Sequence, residues 1–100
     1  MSENSNVIVQ KIVEYINSCT GKYFSDYYAG ITKSPEDRLF REHNVDKESG
    51  CWTYRPAINI DHARDAEKKL LEKEMKGGDG GGNDSSVYVY CYQITNQTKE

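Results

Sequence analysis

The sequence predicts a small α/β (α+β) domain in which three helices flank a small three-stranded mixed sheet. Helix-like and strand-like patterns alternate along the chain, and no segment repeats another. A length of 100 residues is enough for one hydrophobic core and too short for two. We therefore expect a single domain over residues 1–100, with any functional site built on the core elements themselves.

The first helix is predicted from apolar residues that recur at helical spacing over residues 7–16. Ser5 or Asn6 is the expected N-cap, because a short polar side chain can accept a hydrogen bond from the first turn. The next segment, residues 23–32, is rich in aromatic residues and ends in Gly-Ile-Thr. It predicts a strand that enters a turn.

The second helix is predicted to begin at Ser34, whose side chain can cap it, with Pro35 at the first helical position. It should run to about His43. After a polar loop, residues 52–58 are expected to form a short strand. Pro56 cannot donate a hydrogen bond to a neighbouring strand, so it predicts an edge position.

The third helix is predicted to start at an Asp61 cap and to end before a glycine run. Its expected inner face consists of Ala63, Ala66, Leu70 and Leu71. Residues 76–86 have the composition of a flexible linker. Residues 87–94 form the clearest strand pattern, in which Tyr88, Tyr90 and Tyr92 share one face, and residues 96–100 are expected to fray.

The three cysteines, Cys19, Cys51 and Cys91, are widely spaced and form no Cys-x-x-Cys pair. This pattern predicts reduced, structural thiols instead of a disulfide framework or a zinc site. No apolar stretch is long enough to cross a bilayer, and residues 1–6 lack the order of a signal peptide. The sequence therefore predicts a cytoplasmic protein without a membrane partner.

A net charge of −3 argues against a domain that grips nucleic acid over its whole surface, because phosphate contacts need Lys and Arg. Local basic clusters remain available for a weaker contact. One cluster consists of Lys33, Arg38 and Arg41, and the other of Arg64, Lys68 and Lys69.

The segment from Asp26 to His43 resembles the second strand and first helix of the GIY-YIG nuclease superfamily. Tyr28-Ala29-Gly30 matches the family's Tyr-Ile-Gly element, and Arg38 follows Tyr28 by ten residues, as the family pattern expects. His43 comes one residue later than the commonest family spacing. The likeness covers roughly residues 26–71.

The resemblance also implies a metal-binding glutamate on a later helix, which residues 63–71 resemble. Glu67 is the candidate, because at about 100° per residue it falls on the inward stripe of the third helix, whereas Glu72 points away. A carboxylate on a core-facing stripe is costly unless it has a partner. The alternative is a surface ion pair between Glu67 and Arg64 or Lys68.

One departure from the family pattern concerns its first motif. Family members place a Gly-Ile-Tyr strand just before the Tyr-Ile-Gly strand, where this chain has a helix. We hypothesise a divergent, circularly permuted member in which residues 87–90 occupy that place in space. Tyr90 or Tyr88 would then supply the second tyrosine of the site.

The resemblance implies a metal-dependent endonuclease or phosphodiesterase that uses one Mg²⁺ or Mn²⁺ ion. In this interpretation Tyr28 takes or relays a proton, Arg38 grips the phosphate and Glu67 holds the ion. His43 and Tyr90 are the further candidates. The implied partner is nucleic acid, bound weakly, with DNA favoured over RNA.

The same residues also have simpler interpretations. Tyr28 can be an ordinary strand aromatic, Arg38 a surface residue paired with Glu42, and His43 a core histidine. The altered Tyr-Ala-Gly element, the missing first motif and the negative charge favour a second function. That alternative is a catalytically inactive GIY-YIG-like module that binds nucleic acid or a protein.

Overall fold

The computed structural model describes residues 2–77 and 87–99. Its regular elements are helix α1 (Ser5–Ile16), strand β1 (Tyr27–Thr32), a π-helical segment (Asp37–Glu42), strand β2 (Trp52–Pro56), helix α2 (Ile60–Glu72) and strand β3 (Tyr88–Gln93). A short 3-10 turn precedes β1. The chain is thus a small α+β protein with three helical segments and a three-stranded sheet, as predicted.

The sheet has the strand order β1-β3-β2, and β3 pairs antiparallel with both neighbours. The prediction of a mixed sheet is therefore wrong, because both strand pairs are antiparallel. β1 and β2 run in the same direction but do not touch, because β3 lies between them and runs the opposite way. Pro56 ends β2 at an edge of the sheet, which confirms the predicted edge position.

Alternation of side chains along the strands divides the core in two. One face of the sheet packs against α1 and α2 through small and aliphatic side chains such as Ala29, Ile31 and Val89. The other face carries aromatic rings. Its buried cluster consists of Tyr28, Leu39, Val45, Tyr90 and Tyr92.

Both long helices start with an asparagine cap that differs from the cap predicted from the sequence. Asn4 caps α1 by accepting from the Val7 N–H, and Asn59 caps α2 by accepting from the His62 N–H. The expected caps at Ser5, Asn6 and Asp61 are wrong, since each of these residues lies inside its helix. The Ser5 hydroxyl instead donates to Asp65 and joins the two helices.

Two further predictions differ from the structure at chain segments expected to be loose. Lys76, assigned to the linker, exchanges backbone hydrogen bonds with Tyr27 and Ala29 of β1, each 2.9 Å long. The rest of that linker, residues 78–86, lies outside the part of the chain that the structure describes. The C-terminal tail does not fray as expected, because the Lys99 N–H donates to the His43 carbonyl at 2.7 Å.

A disulfide joins Cys19 to Cys51, whose Cα atoms are 6.1 Å apart. The prediction of reduced cysteines is therefore wrong for this pair. The bridge between Glu3 and Ala57 places the start of α1 beside the end of β2. α1 runs back along β2 from there, so the chain that leaves α1 lies beside the chain that enters β2. Disulfides persist mainly in oxidising compartments, so this bond weighs against the predicted cytoplasmic location, which stays a prediction.

Reducing this disulfide should destabilise the domain. The cysteines are 32 residues apart, and a loop of this size corresponds to roughly 3–4 kcal/mol of lost chain entropy in the unfolded state. We expect a reductant to lower the urea midpoint accordingly. The double variant Cys19→Ser/Cys51→Ser should unfold at the same midpoint with and without reductant, and an unchanged wild-type midpoint would contradict the structural role.

Candidate functional site

The candidate site lies on the aromatic face of the sheet, where Gly30 of β1 is paired with Tyr90 of β3. A Cβ atom at Gly30 would lie 2.6 Å from the Tyr90 hydroxyl oxygen. The absence of a side chain at Gly30 therefore lets the Tyr90 ring lie across β1. Tyr28 sits two residues earlier on the same face, and its ring centroid is 6.3 Å from that of Tyr90.

Arg38 reaches this face from the π-helical segment. Its Nη1 donates to Glu42 at 2.5 Å, and its guanidinium lies near enough to the Tyr90 hydroxyl for the two groups to shift each other's pKa. Burial by itself would lower the pKa of Arg38, but the interactions with Glu42 and Tyr90 outweigh burial and raise it. The Arg38 side chain remains 31% exposed, so its other N–H groups face solvent at the site.

Tyr90 is the centre of the site's electrostatics. Burial raises the pKa of Tyr90 to about 12; Arg38 acts against this rise, while Tyr28 and Glu67 add to it. The Tyr90 hydroxyl is therefore protonated at neutral pH despite the adjacent arginine. It acts as a hydrogen-bond donor in this state and not as a base.

His43 is buried, with 3% of its surface exposed, and connects Tyr90 to the C-terminal tail. Its Nε2 lies 2.8 Å from the Tyr90 hydroxyl, and its Nδ1 lies 2.6 Å from the Lys99 carbonyl oxygen. A carbonyl only accepts, which assigns the proton to Nδ1. Nε2 then accepts from the Tyr90 hydroxyl, so His43 joins Tyr90 to the Lys99 carbonyl through two hydrogen bonds.

The π-helical geometry explains how His43 meets Arg38 on one face. The His43 N–H donates to the Arg38 carbonyl five residues back, at 2.8 Å. An α-helix would bring the residue four positions after Arg38, which is Glu42, to that place. The wider turn thus places His43, and not Glu42, at this position.

Glu67 lies on α2, which packs against the face of the sheet opposite the aromatic rings. It is partly buried, and burial raises its pKa, an effect that the nearby charge of Arg64 only partly offsets. Glu67 forms no ion pair with Arg64 or Lys68 within residues 2–77 and 87–99. Its charge is near enough to add to the rise in the pKa of Tyr90, although the two side chains lie on elements that pack on opposite faces of the sheet.

The structure thus brings four of the five residues singled out from the sequence together around the Tyr90 hydroxyl, whereas Glu67 is linked to them only through the effect of its charge on the pKa of Tyr90. The five residues are Tyr28, Arg38, His43, Glu67 and Tyr90. Tyr88, the other candidate for the second tyrosine, packs against Tyr54 instead, with the two ring centroids 5.8 Å apart.

Sequence reasoning missed two members of the network. The Tyr92 hydroxyl lies 3.0 Å from His43 Nδ1 and 3.3 Å from the Lys99 carbonyl, to which it donates. The alternation of Tyr90 and Tyr92 on one strand face was a signal that could have identified Tyr92. The Lys99 carbonyl carries no sequence signal, because any residue presents the same backbone group.

The acidic side chains of the site fit only a loosely held cation. Within the described ranges no group of three or more His, Cys, Asp or Glu residues could enclose a metal ion. A single carboxylate still fits Mg²⁺, which keeps several waters and commonly takes one or two carboxylates together with substrate phosphate. Glu67 is the residue that fits this description.

None of the helices at residues 2–77 and 87–99 has the length and apolar character needed to cross a membrane. No protein-family model, curated protein or solved structure compared with the chain matches it.

Proposed function

We propose that this chain is a divalent-metal-dependent endonuclease or phosphodiesterase of the GIY-YIG type that acts on nucleic acid. The observation that carries the proposal is the grouping of Tyr28 and Arg38 around the Tyr90 hydroxyl, with the charge of Glu67 near enough to raise the pKa of Tyr90. A guanidinium, tyrosine hydroxyls and a carboxylate together match what phosphodiester cleavage requires. The overall negative charge agrees with weak binding, and DNA is the favoured substrate.

Arg38 is the proposed phosphate-binding group. Its contacts to Glu42 and Tyr90 hold the planar guanidinium in one orientation before the substrate arrives. The remaining N–H groups can donate to two oxygens of one phosphate, and they do so most strongly as negative charge develops. The raised pKa of Arg38 keeps this cation present throughout the accessible pH range.

The two tyrosines have different proposed roles. Tyr90, with a pKa of about 12, stays neutral and donates a hydrogen bond that orients His43. Tyr28 is the proposed proton relay for the attacking water. His43 is a positioning residue, because its ring is buried and reaches the substrate only through Tyr90.

Glu67 is the proposed ligand for Mg²⁺ or Mn²⁺. A bound divalent ion would lower the pKa of its water and neutralise charge on the phosphate. Partial burial disfavours the ionised carboxylate of Glu67. A bound cation would offset this cost, because it stabilises the negative charge.

The position of β3 also supports the proposal of a circular permutation. β3 pairs with β1 from Tyr27↔Gln93 to Thr32↔Tyr88, which is the neighbour relation the hypothesis requires. Tyr90 then stands opposite Gly30 of the Tyr-Ala-Gly element, where a first-motif tyrosine is expected. Strand pairing depends on geometry and not on chain order.

The test is nicking of supercoiled plasmid DNA in Mg²⁺ or Mn²⁺ with paired arginine variants. We expect Arg38→Ala to lose at least about 100-fold in rate, because a donor aimed at developing charge is worth that much. Arg41→Ala is the matched control. It removes the same charge and also breaks a pair with the residue four positions away, but Arg41 is exposed.

Equal activity in the two variants would refute the role of Arg38. No nicking by the wild type, with no Mg²⁺ or Mn²⁺ binding by calorimetry at millimolar concentrations, would refute the nuclease. The catalytically inactive binding module would then be the remaining interpretation of the fold.

A further inference from the structure

A cavity of about 390 Å³ opens beside the candidate site, between the turn after β1 and the rings of Tyr54 and Tyr88. It is next to the site in the fold, because Tyr54 pairs with Tyr90 across the sheet and Asp37 precedes Arg38. Its size lies at the lower end of the range for small-ligand pockets, which begins at about 300 Å³. The cavity is therefore suited to a ligand the size of one ring system.

The wall of this cavity is aromatic and belongs to a continuous row of rings. Tyr54 stacks on Trp52, with centroids 6.2 Å apart and planes 12° apart, and meets Tyr88 edge to face at 83°. Both tyrosines are partly exposed. A flat ring that entered the cavity would find a ring face on one side and a ring edge on the other.

The polar groups at the cavity do not suit a phosphate. Two exposed carboxylates, Glu36 and Asp37, line it together with the single cation Lys33. Carboxylates repel phosphate but accept hydrogen bonds from exocyclic amino groups such as those of cytosine and adenine. Lys33 is exposed beside them and can contact a neighbouring phosphate outside the cavity.

We propose that this cavity binds an unpaired nucleobase of a single-stranded nucleic acid, with the adjoining phosphate directed to Arg38. This inference rests on the proposed function and names its substrate class as single-stranded or locally unpaired nucleic acid. The base stacks on Tyr54 and donates its amino group to Asp37 or Glu36. Cytosine and adenine are preferred over thymine and uracil, which present no amino group.

The experiment uses the full chain in EDTA and a short single-stranded DNA that carries one 2-aminopurine, whose fluorescence falls when the base stacks. We expect the wild type to quench the probe. Tyr54→Leu, which keeps an apolar side chain but removes the ring, should weaken binding about ten-fold. Tyr54→Phe should bind within about two-fold of the wild type, because it keeps the stacking face.

Tyr23→Leu is the matched control, because Tyr23 is an exposed tyrosine far from this cavity, and it should not change binding. Melting temperatures of the variants show whether each is folded. In addition, Asp37→Asn should reduce the preference for oligo-dC and oligo-dA over oligo-dT. Equal affinity and equal quenching in folded Tyr54→Leu and wild type would overturn the base site.

Binding is measured in EDTA, which removes the divalent ion that cleavage requires, so the binding result does not depend on cleavage. Binding that depends on Tyr54, without any metal-dependent nicking, supports the base site and rejects the nuclease. If the protein nicks DNA but its binding does not depend on Tyr54, the base site is rejected and the proposed nuclease function is retained.

Discussion

We expect Glu67→Gln to abolish the proposed metal-dependent cleavage and at the same time to make the folded domain more stable at neutral pH. Activity should fall by more than about 100-fold, because a metal ligand contributes several kcal/mol to the transition state. The amide keeps the shape of the side chain but cannot carry the charge that holds Mg²⁺. Nicking rates and calorimetric Mg²⁺ affinity, measured on the same protein, test the loss.

The gain in stability follows from the sign of the pKa shift. Burial raises the pKa of Glu67 in the folded state, so the fold favours the protonated carboxyl. That favourable contribution is complete below the unfolded-state pKa of about 4.3 and is lost as the pH rises through the folded-state pKa. At pH 7 the wild type holds a partly desolvated carboxylate that the Gln variant lacks, so urea midpoints should differ at pH 7 and converge in acid.

Glu72→Gln provides the control on the same helix. Glu72 ends α2 and is exposed, so the change should leave both cleavage and the urea midpoint close to wild type. Full activity in Glu67→Gln would remove Glu67 from the proposed site. A Gln variant that is inactive but clearly less stable would show that the carboxylate stabilises the fold, contrary to the expected gain in stability.

His43→Leu should cost about 3–5 kcal/mol of folding free energy, because it removes a buried imidazole to which three polar groups bond. The Tyr90 hydroxyl, the Tyr92 hydroxyl and the Lys99 carbonyl all contact the imidazole within 3.0 Å. Leucine fills a similar volume but offers no hydrogen bond. For a domain of this size the melting temperature should fall by about 4–8 °C per kcal/mol.

Tyr92→Phe is the comparison for His43→Leu, because it removes one hydroxyl and leaves the imidazole in place. It removes the bonds of Tyr92 to His43 and Lys99 and keeps the ring, so we expect a cost of only about 1 kcal/mol. If His43→Leu is as stable as Tyr92→Phe, the imidazole does not connect the tail to Tyr90, and the positioning role of His43 fails with it.

Much of the candidate site follows from local pattern. The two-residue alternation of β3 puts Tyr90 and Tyr92 on one face, and helical spacing puts Glu67 on the inner side of α2. These periods belong to the backbone, and any sequence that forms the element obeys them. These periods do not reveal which residue lies opposite on the neighbouring strand. The pairing of Tyr90 with Gly30 follows only from the register of β1 and β3 in the structure.

The caps and the cysteines illustrate why local rules were insufficient. Ser5, Asn6 and Asp61 are all good cap residues, and the choice of Asn4 and Asn59 depends on where each chain segment turns into its helix. Cys19 and Cys51 gave no spacing signal. They meet because α1 lies antiparallel to β2, a relation between elements that no local pattern encodes.

The sequence by itself determined which segments are helices and strands, and which side chains point inward, because both depend on interactions between near neighbours in the chain. The tertiary structure alone decided that β3 lies between β1 and β2, that the turn after Arg38 is π-helical, and that the Lys99 carbonyl closes on His43. These contacts join residues far apart in sequence, and they form only where packing brings the two segments together.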